Sequence, residues 1–253
     1  MKVLSLFAGS GGIDLGLERA GMQIVAHSEI DPYACKVLAK HWPDVPNLGD
    51  ISQVDFIRDT GTGKSWALWN DTQRADVSSD IICGGFPCQD VSRAGRRAGV
   101  NGGAKSGLWA EYLRAIRDLR PRYVIVENTA TLATRGLDRV LGDLAACGYD
   151  AEWECIPAAA VGAPHIRDRI FVVAYASGGR HGAPEEAVFA GRSSPELHAW
   201  WACEPGVQRV DDGLPNRVER RRALGNAVVP QVAQYIGELV VAHHAKHAQS
   251  GAA

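Results

Sequence analysis

The sequence lacks a strong charge bias, a long apolar run and a paired cysteine pattern. Its 253 residues carry 27 basic and 29 acidic side chains, so the net charge of −2 does not by itself indicate a nucleic-acid binder. No apolar run approaches the roughly 20 residues that a membrane helix needs. The six cysteines are scattered, which favours reduced thiols in a cytoplasm over a disulfide framework; they stand at positions 35, 83, 88, 147, 155 and 203.

What the sequence does contain is enough apolar material for a core, arranged in short runs. Hydrophobic residues make up 46% of the chain. The N-terminal stretch MKVLSLFAGSGG continues into glycines without a small-residue cleavage site, which predicts a first strand rather than a signal peptide. Short apolar runs then alternate with amphipathic segments as far as residue 175. This alternation predicts an α/β fold with a doubly wound, mostly parallel sheet.

The periodicity disappears between Ala176 and about Arg222, where Gly, Pro, Ser and Arg dominate. A helical pattern resumes at Val228. We therefore predict one unit made of residues 1–175 and 223–253, interrupted by a small irregular insertion over residues 176–222.

A glycine-rich loop, FAGSGG (Phe7–Gly12), follows the first predicted strand and opens a helix, where α/β folds bind nucleotides. A dinucleotide fingerprint would need a third glycine at position 14, but Asp14 stands there and would repel a pyrophosphate. Glu29, at the end of the second strand, is placed to bind ribose hydroxyls, and Asp50 to accept from an adenine amino group. Together these residues favour S-adenosylmethionine.

The stretch CGGFPCQD (residues 83–90) raises the question of what its two cysteines do. A C-x4-C pair without a second cysteine or histidine pair nearby is not a structural zinc site, and we expect no metal. Cys83 ends an apolar strand, which predicts core packing. Cys88 follows two glycines and a proline just past the carboxyl end of that strand, where ligands bind in open α/β sheets.

The order of the motifs resembles that of the DNA (cytosine-5)-methyltransferases, which have a Rossmann-like, S-adenosylmethionine-dependent fold. Eight motifs carry this resemblance, from residue 5 to about residue 235: FAGSGG, SEID at Ser28–Asp31, GDI at Gly49–Ile51, GGFPCQ at Gly84–Gln89, SGLW at Ser106–Trp109, VEN at Val126–Asn128, HIRDR at His165–Arg169 and GNAVVP at Gly225–Pro230.

The resemblance implies that S-adenosylmethionine donates a methyl group to carbon 5 of a cytosine flipped out of double-stranded DNA. It makes Cys88 the nucleophile that attacks carbon 6 of the base. It gives Glu127 the role of donor to ring nitrogen 3, which requires a raised pKa. Arg169 should hold the base carbonyl, and Arg167 should support a phosphate or the surroundings of Cys88.

The resemblance also implies two sets of binding residues. The expected cofactor-binding residues are Phe7, Ala8, Gly9, Gly11, Gly12, Ile13, Glu29, Ile30, Asp50, Ile51, Gly85, Pro87, Leu108, Asn226 and Val228. The expected DNA-binding residues are Gln89, Ser92, Arg93, Arg96, Arg97 and Arg217. Most of the latter lie in the glycine-rich segment 89–107, which we expect to close over the DNA as a lid. We expect the protein to act as a monomer.

The sequence departs from the family pattern most clearly in the length of the insertion. About 50 residues separate HIRDR from GNAVVP, where the family carries a usually longer target-recognition region. Fewer side chains can then read the major groove, so we expect a short or degenerate DNA target. Two alternatives stay open on these motifs: a transfer-RNA cytosine-5 methyltransferase, and a catalytically silent module that binds the cofactor or DNA.

Overall fold

The computed structural model describes residues 1–70, 73–87, 107–176, 187–190 and 223–250, with side chains as far as residue 247. Its strands are β1 (Lys2–Leu6), β2 (Gln23–Ser28), β3 (Val54–Arg58), β4 (Ser65–Trp69), β5 (Gln73–Asp76), β6 (Ile81–Gly84), β7 (Tyr123–Thr129), β8 (Tyr149–Pro157) and β9 (Asp168–Ala176). Its helices are α1 (Gly12–Arg19), α2 (Pro32–His41), α3 (Gly107–Leu119), α4 (Leu137–Ala146) and α5 (Pro230–Ser250).

Six strands form the central sheet in the order β2-β1-β6-β7-β9-β8. The pairs β1–β2, β1–β6 and β6–β7 are parallel, whereas β9 runs antiparallel to both β7 and β8. The predicted doubly wound, mostly parallel sheet is therefore confirmed. The reversed strand has a consequence for the site, because the start of β9 reaches the edge of the sheet at which the parallel strands end.

Alternate residues of the central strands face two separate hydrophobic layers. One layer packs α3 and α4 against side chains such as Leu4, Ile82 and Val124. The other packs α1 and α5 against side chains such as Val3, Ile81 and Ile125. Because neighbouring residues of one strand enter opposite layers, both faces of the sheet are covered, as parallel sheets require.

A second, three-stranded sheet lies between the motif GDI and β6, and the sequence analysis did not predict it. Strands β3, β4 and β5 form an antiparallel meander. Val54, Phe56, Ala67 and Trp69 on one face join the layer of α3 and α4. The last strand, Gln73–Asp76, has the sequence QRAD and is mostly exposed, so it carries little β-propensity signal.

Helix α5 returns to the sheet and packs tightly on α1. A Cβ atom on Gly16 of α1 would lie 2.3 Å from the carbonyl oxygen of Pro230 and 2.5 Å from the Cβ of Ala233. Only glycine at this position lets the two backbones come so close. Among the described helices, none is long and apolar enough to cross a membrane.

The close contact at Gly16 and the open space around Gly142 predict opposite effects of a glycine-to-alanine substitution on stability. Gly16→Ala should lower the free energy of unfolding by about 1–3 kcal/mol, because its methyl group has no room. Gly142→Ala, inside α4, meets no atom within 4 Å and should raise the free energy by about 0.5–1 kcal/mol through helix propensity. Denaturant unfolding of both variants measures this, and equal destabilisation by the two would contradict the described packing.

Candidate active site

The residues predicted to bind the cofactor gather where the parallel strands end. Strands β1, β2 and β6 end at Leu6, Ser28 and Gly84, and each is followed directly by one of the predicted motifs. Strand β7 ends at Thr129, just after Glu127. In an open α/β sheet this edge forms the crevice in which ligands bind.

The glycine-rich loop makes a sharp turn between β1 and α1. Phe7, Gly9 and Gly11 all have positive φ angles, of 53°, 56° and 79°. Gly11 is covered by Trp42, whose ring would stand 2.4 Å from a Cβ at that position, so a larger residue does not fit. At Gly9, by contrast, a Cβ would meet no atom within 4 Å. The backbone at Gly9 is therefore open to an approaching ligand.

Glu29 holds the turns around this loop together through its carboxylate. Its Oε2 accepts from the backbone nitrogen of Gly9 at 2.7 Å, and its Oε1 accepts from those of Ile30 and Asp31 at 2.8 and 2.7 Å. The side chain of Ile30 is 66% exposed beside it. A carboxylate next to an exposed apolar side chain suits a ribose and the flat base attached to it.

Asp50 begins the short 3₁₀ turn Ile51–Gln53. Its Oδ1 accepts from the backbone nitrogen and the hydroxyl of Ser52, at 2.9 and 2.8 Å. The Asp50 side chain is exposed, whereas Ile51 is 2% exposed in the core. Oδ2 takes part in neither of these hydrogen bonds, so it can accept from a ligand.

Asp14 does not act in the way that the sequence suggested. Its carboxylate is fully buried and lies 3.3 Å from Nε2 of His27, rather than standing at the surface of the loop. The interpretation of Asp14 as a group that faces and repels a pyrophosphate is therefore wrong. Its position in the first turn of α1 turns its side chain toward β2 and the core.

The GGFP segment after β6 lies directly against Glu127. A Cβ on Gly85 would stand 2.4 Å from Oε2 of Glu127, so glycine is what allows the segment to pass. The side chain of Asn128 donates to the carbonyl of Phe86 at 3.2 Å, and Phe86 packs on Trp109 with ring centroids 5.3 Å apart. These contacts hold Gly85 and Phe86, which lie three and two residues before Cys88.

Glu127 is a buried carboxylate paired with an arginine. Its Oε1 lies 2.8 Å from Nε of Arg169, and the residue is 7% exposed. Burial raises the pKa of Glu127 from its ordinary value of 4.5 to about 7, although Arg169 and Arg167 act to lower it. The carboxyl group can therefore carry a proton near neutral pH, as a donor to a ring nitrogen must.

The two arginines of HIRDR have different partners. Arg169 uses Nε for Glu127 and Nη1 for the carbonyl of Asp168, at 3.2 Å. Arg167 donates from Nη2 to the carbonyl of Gly225 at 2.6 Å, which joins HIRDR to GNAVVP. Arg167 thus stabilises the position of GNAVVP relative to β9, a contact that the sequence did not predict.

The motif GNAVVP also reaches the glycine-rich loop. A Cβ on Gly12 would stand 2.5 Å from the carbonyl of Val228, so these two predicted cofactor-binding segments touch. Asn226, two residues before Val228, is exposed. Leu108 is half-buried at the start of α3. All predicted cofactor-binding residues are described.

Several other predicted residues lie outside the described residues. These are the nucleophile Cys88 and all six predicted DNA-binding residues, Gln89, Ser92, Arg93, Arg96, Arg97 and Arg217. Cys83, the other cysteine of the pair, is fully buried, and burial raises its pKa well above the ordinary value of a thiol. Its predicted packing role is confirmed.

The match to a known protein family agrees with this geometry. Residues 1–193 match the family of C-5 cytosine-specific DNA methylases. The chain belongs to this family. The matched range includes the glycine-rich loop, Glu29, Asp50, Glu127 and Arg169, so the family assignment and the described site rest on the same part of the chain.

Curated relatives of this chain are named Type II methyltransferases. Identity is 32% over 176 residues to M.NgoFVII of Neisseria gonorrhoeae, covering 68% of this chain and 43% of that protein. Sequence identity to M.Eco47II of Escherichia coli is 35% over 178 residues, which cover 68% of this chain and 39% of that protein. The chain spans less than half the length of these two relatives. It covers 71% of M.AquIA from Picosynechococcus, at 28% identity over 185 residues and 68% of this chain.

Solved structures show the same fold. The S. pombe Dnmt2 methyltransferase superposes with a TM-score of 0.52 at 19% identity, over 75% of this chain and 53% of that one. A protein described as a DNA modification methyltransferase, encoded within an E. coli prophage, superposes with a TM-score of 0.51 at 24% sequence identity. The superposition covers 70% of this chain and 47% of that one. The methyltransferase fold predicted from the sequence is confirmed.

The cofactor of this methylase family is S-adenosylmethionine, and the described residues fit it. Glu29 and Asp50 offer carboxylate oxygens that match ribose hydroxyls and an adenine amino group. The open backbone at Gly9 and the exposed Ile30 leave room for a nucleoside beside them.

Sequence reasoning missed Asn47, which bonds to the backbone of Glu29 on both sides. Its sole signal is its place in NLGD, two residues before the glycine of a turn, and asparagine is common in turns. It also missed Trp42, which covers Gly11 and donates from its indole nitrogen to Glu18 at 2.8 Å.

The raised pKa of Glu127 predicts how stability depends on pH. In the native protein the protonated form is favoured, so its stabilising effect is complete below about pH 4.5 and is lost as the pH rises through about 7. The difference corresponds to about 3 kcal/mol. Glu127→Gln should therefore lose less stability than the unaltered protein between pH 5 and pH 8. Urea unfolding at both pH values measures this, and parallel losses would contradict it.

Proposed function

We propose that this protein transfers a methyl group from S-adenosylmethionine to carbon 5 of cytosine in a short sequence of double-stranded DNA. The observation that carries the proposal is the buried Glu127, with a pKa near 7, beside Arg169 and the segment that leads to Cys88. A neutral carboxyl group and a cation side by side match the ring nitrogen and the carbonyl oxygen of a cytosine.

In the proposed mechanism the base leaves the duplex and enters the crevice at the carboxyl edge of the sheet. The thiolate of Cys88 forms a bond to carbon 6, and the electron pair of the 5,6 double bond moves into the ring. Glu127 donates its proton, or a strong hydrogen bond, to nitrogen 3. Arg169 donates to the carbonyl oxygen from Nη2, which neither Glu127 nor Asp168 engages. Carbon 5 thereby becomes nucleophilic.

S-adenosylmethionine, when bound, would supply the electrophilic methyl group: carbon 5 bonds to the methyl carbon, the bond from that carbon to the sulfonium sulfur breaks, and S-adenosylhomocysteine leaves. Loss of the proton from carbon 5 to solvent water then returns an electron pair to the ring. This pair re-forms the 5,6 double bond as the bond between carbon 6 and the sulfur of Cys88 breaks. Glu127 takes back the proton from nitrogen 3, and the Cys88 thiolate is restored together with 5-methylcytosine.

We further propose that residues 176–222 form the target-recognition region and that the remainder forms the catalytic unit. Two described residues of the insertion contact the proposed catalytic unit. Glu152 of β8 accepts from the backbone nitrogens of Val188 and Phe189, the latter at 3.0 Å, and Val188 is 4% exposed against the sheet. Part of the insertion is thus tied to the catalytic unit. We propose that Gln89, Ser92, Arg93, Arg96, Arg97 and Arg217 contact the DNA.

The proposed activity predicts new 5-methylcytosine in a bacterial host that has no methylation of its own. Expression of the chain should place the modified base at one short or degenerate DNA sequence, and Cys88→Ala should leave the DNA unmodified because the attacking thiol is gone. The matched control is Cys83→Ala, which removes the buried thiol from the same motif and should retain methylation. Mapping of 5-methylcytosine across the host genome makes the measurement.

Sequencing of modified cytosines in host RNA separates the alternatives. If transfer RNA is modified and DNA is not, the protein is an RNA methyltransferase and the proposal is wrong. The absence of modification from both, in cells that contain folded protein, would identify a silent binding module. Persistent DNA methylation with Cys88→Ala would contradict the mechanism.

A further inference from the structure

One side-chain amide holds the backbone of Glu29 in place on both sides. Oδ1 of Asn47 accepts from the backbone nitrogen of Glu29 at 3.0 Å, and its Nδ2 donates to the backbone carbonyl of the same residue at 3.0 Å. A neighbouring β-strand would offer the same pair of groups. The main chain around Asn47 does run beside the end of β2, since His27 bonds to Pro46 and Leu48 at 2.9 and 2.7 Å.

The same amide reaches the segment that carries the second carboxylate. Oδ1 of Asn47 also accepts from the backbone nitrogen of Gly49 at 3.2 Å, and the hydroxyl of Ser28 donates to the carbonyl of Gly49 at 2.8 Å. Gly49 has a φ angle of 73° and directly precedes Asp50. Asn47 and Ser28 therefore link the backbone at Ser28–Glu29 to the backbone at Gly49, the residue before Asp50.

The chemistry of this position requires an amide. One oxygen must accept from two backbone nitrogens while one nitrogen donates to a carbonyl, and Nδ2 also lies 3.2 Å from the sulfur of Cys35. An aspartate of the same size could accept but not donate. It would turn an attraction to the Glu29 carbonyl into a repulsion and bring another negative charge near the Glu29 carboxylate.

We propose that Asn47 is a positioning residue of the cofactor site, which sets the placement of the Glu29 and Asp50 carboxylates toward the adenosine part of the cofactor. This inference rests on the proposed function. Asn47 is half-buried and makes these contacts through polar atoms at the edge of the sheet. Its loss therefore changes where the carboxylates lie, and affects cofactor affinity more than the stability of the core.

The test compares Asn47→Asp with Asn70→Asp. Both substitutions replace an amide by an isosteric carboxylate, but Asn70 lies in the exposed segment after β4, where its amide bonds to Gln73. Isothermal titration with S-adenosylhomocysteine should show affinity about tenfold weaker for Asn47→Asp, the effect of losing one well-placed hydrogen bond beside a charge. Asn70→Asp should bind as the unaltered protein does.

Steady-state methylation distinguishes positioning from a general structural effect. For Asn47→Asp, the KM for S-adenosylmethionine should rise about tenfold while kcat at saturating cofactor stays close to that of the unaltered protein, because only cofactor placement is impaired. The KM for DNA should not change. A fall in kcat with an unchanged KM for the cofactor would overturn the proposal.

A milder variant keeps the proposal open to refutation if Asn47→Asp does not fold. Ser28→Ala removes only the hydrogen bond to the carbonyl of Gly49 and should weaken binding of S-adenosylhomocysteine by roughly threefold. Unaltered protein that fails to bind S-adenosylhomocysteine would refute the proposed function itself. Unaltered protein that binds, together with Asn47→Asp and Ser28→Ala variants that bind equally well, would refute the positioning role alone.

Discussion

The ion pair between Glu127 and Arg169 is the contact on which the arrangement of the site depends. Glu127 lies near the end of β7, and Arg169 near the start of β9, which alone among the described strands of the central sheet runs in the opposite direction. In the register of these strands Glu127 opposes Phe171 and Thr129 opposes Arg169, so Glu127 and Arg169 are diagonal neighbours on one face. A parallel strand in this place would carry its first residues to the far edge of the sheet.

Burial and the ion pair have opposite effects on the charge of Glu127: burial favours the protonated carboxyl group, and Arg169 favours the carboxylate. A buried carboxylate without its arginine would be costly, yet even with Arg169 its pKa lies near 7 because burial outweighs the attraction. The site therefore keeps a carboxyl group that can hold a proton near neutral pH. Gly85 allows the GGFP backbone to lie against it, and Asn128 fixes that backbone from the next strand.

Much of the fold and the cofactor site follows from the sequence, since local patterns determine them. Short apolar runs predict β1, β6 and β7, and the glycine-rich loop with Glu29 marks the usual nucleotide crevice. Local patterns could not give the direction of β9 or the meander β3–β5, because strand direction and pairing depend on distant partners. The burial of Asp14 was missed for the same reason: Asp14 lies in α1, and its partner His27 lies on β2. Asn47 acts through one amide, which no periodic pattern reveals.

We propose that Cys88, and not the buried Cys83 five residues before it, bonds to cytosine. DNA with 5-fluorocytosine at the methylated position tests this most directly, because fluorine at carbon 5 blocks the proton loss that would release the base. Incubation with S-adenosylmethionine, proteolysis and mass spectrometry locate the bond. The account predicts a DNA adduct on Cys88 that Cys88→Ala abolishes. An adduct on Cys83, or DNA methylation without any covalent adduct, would contradict it.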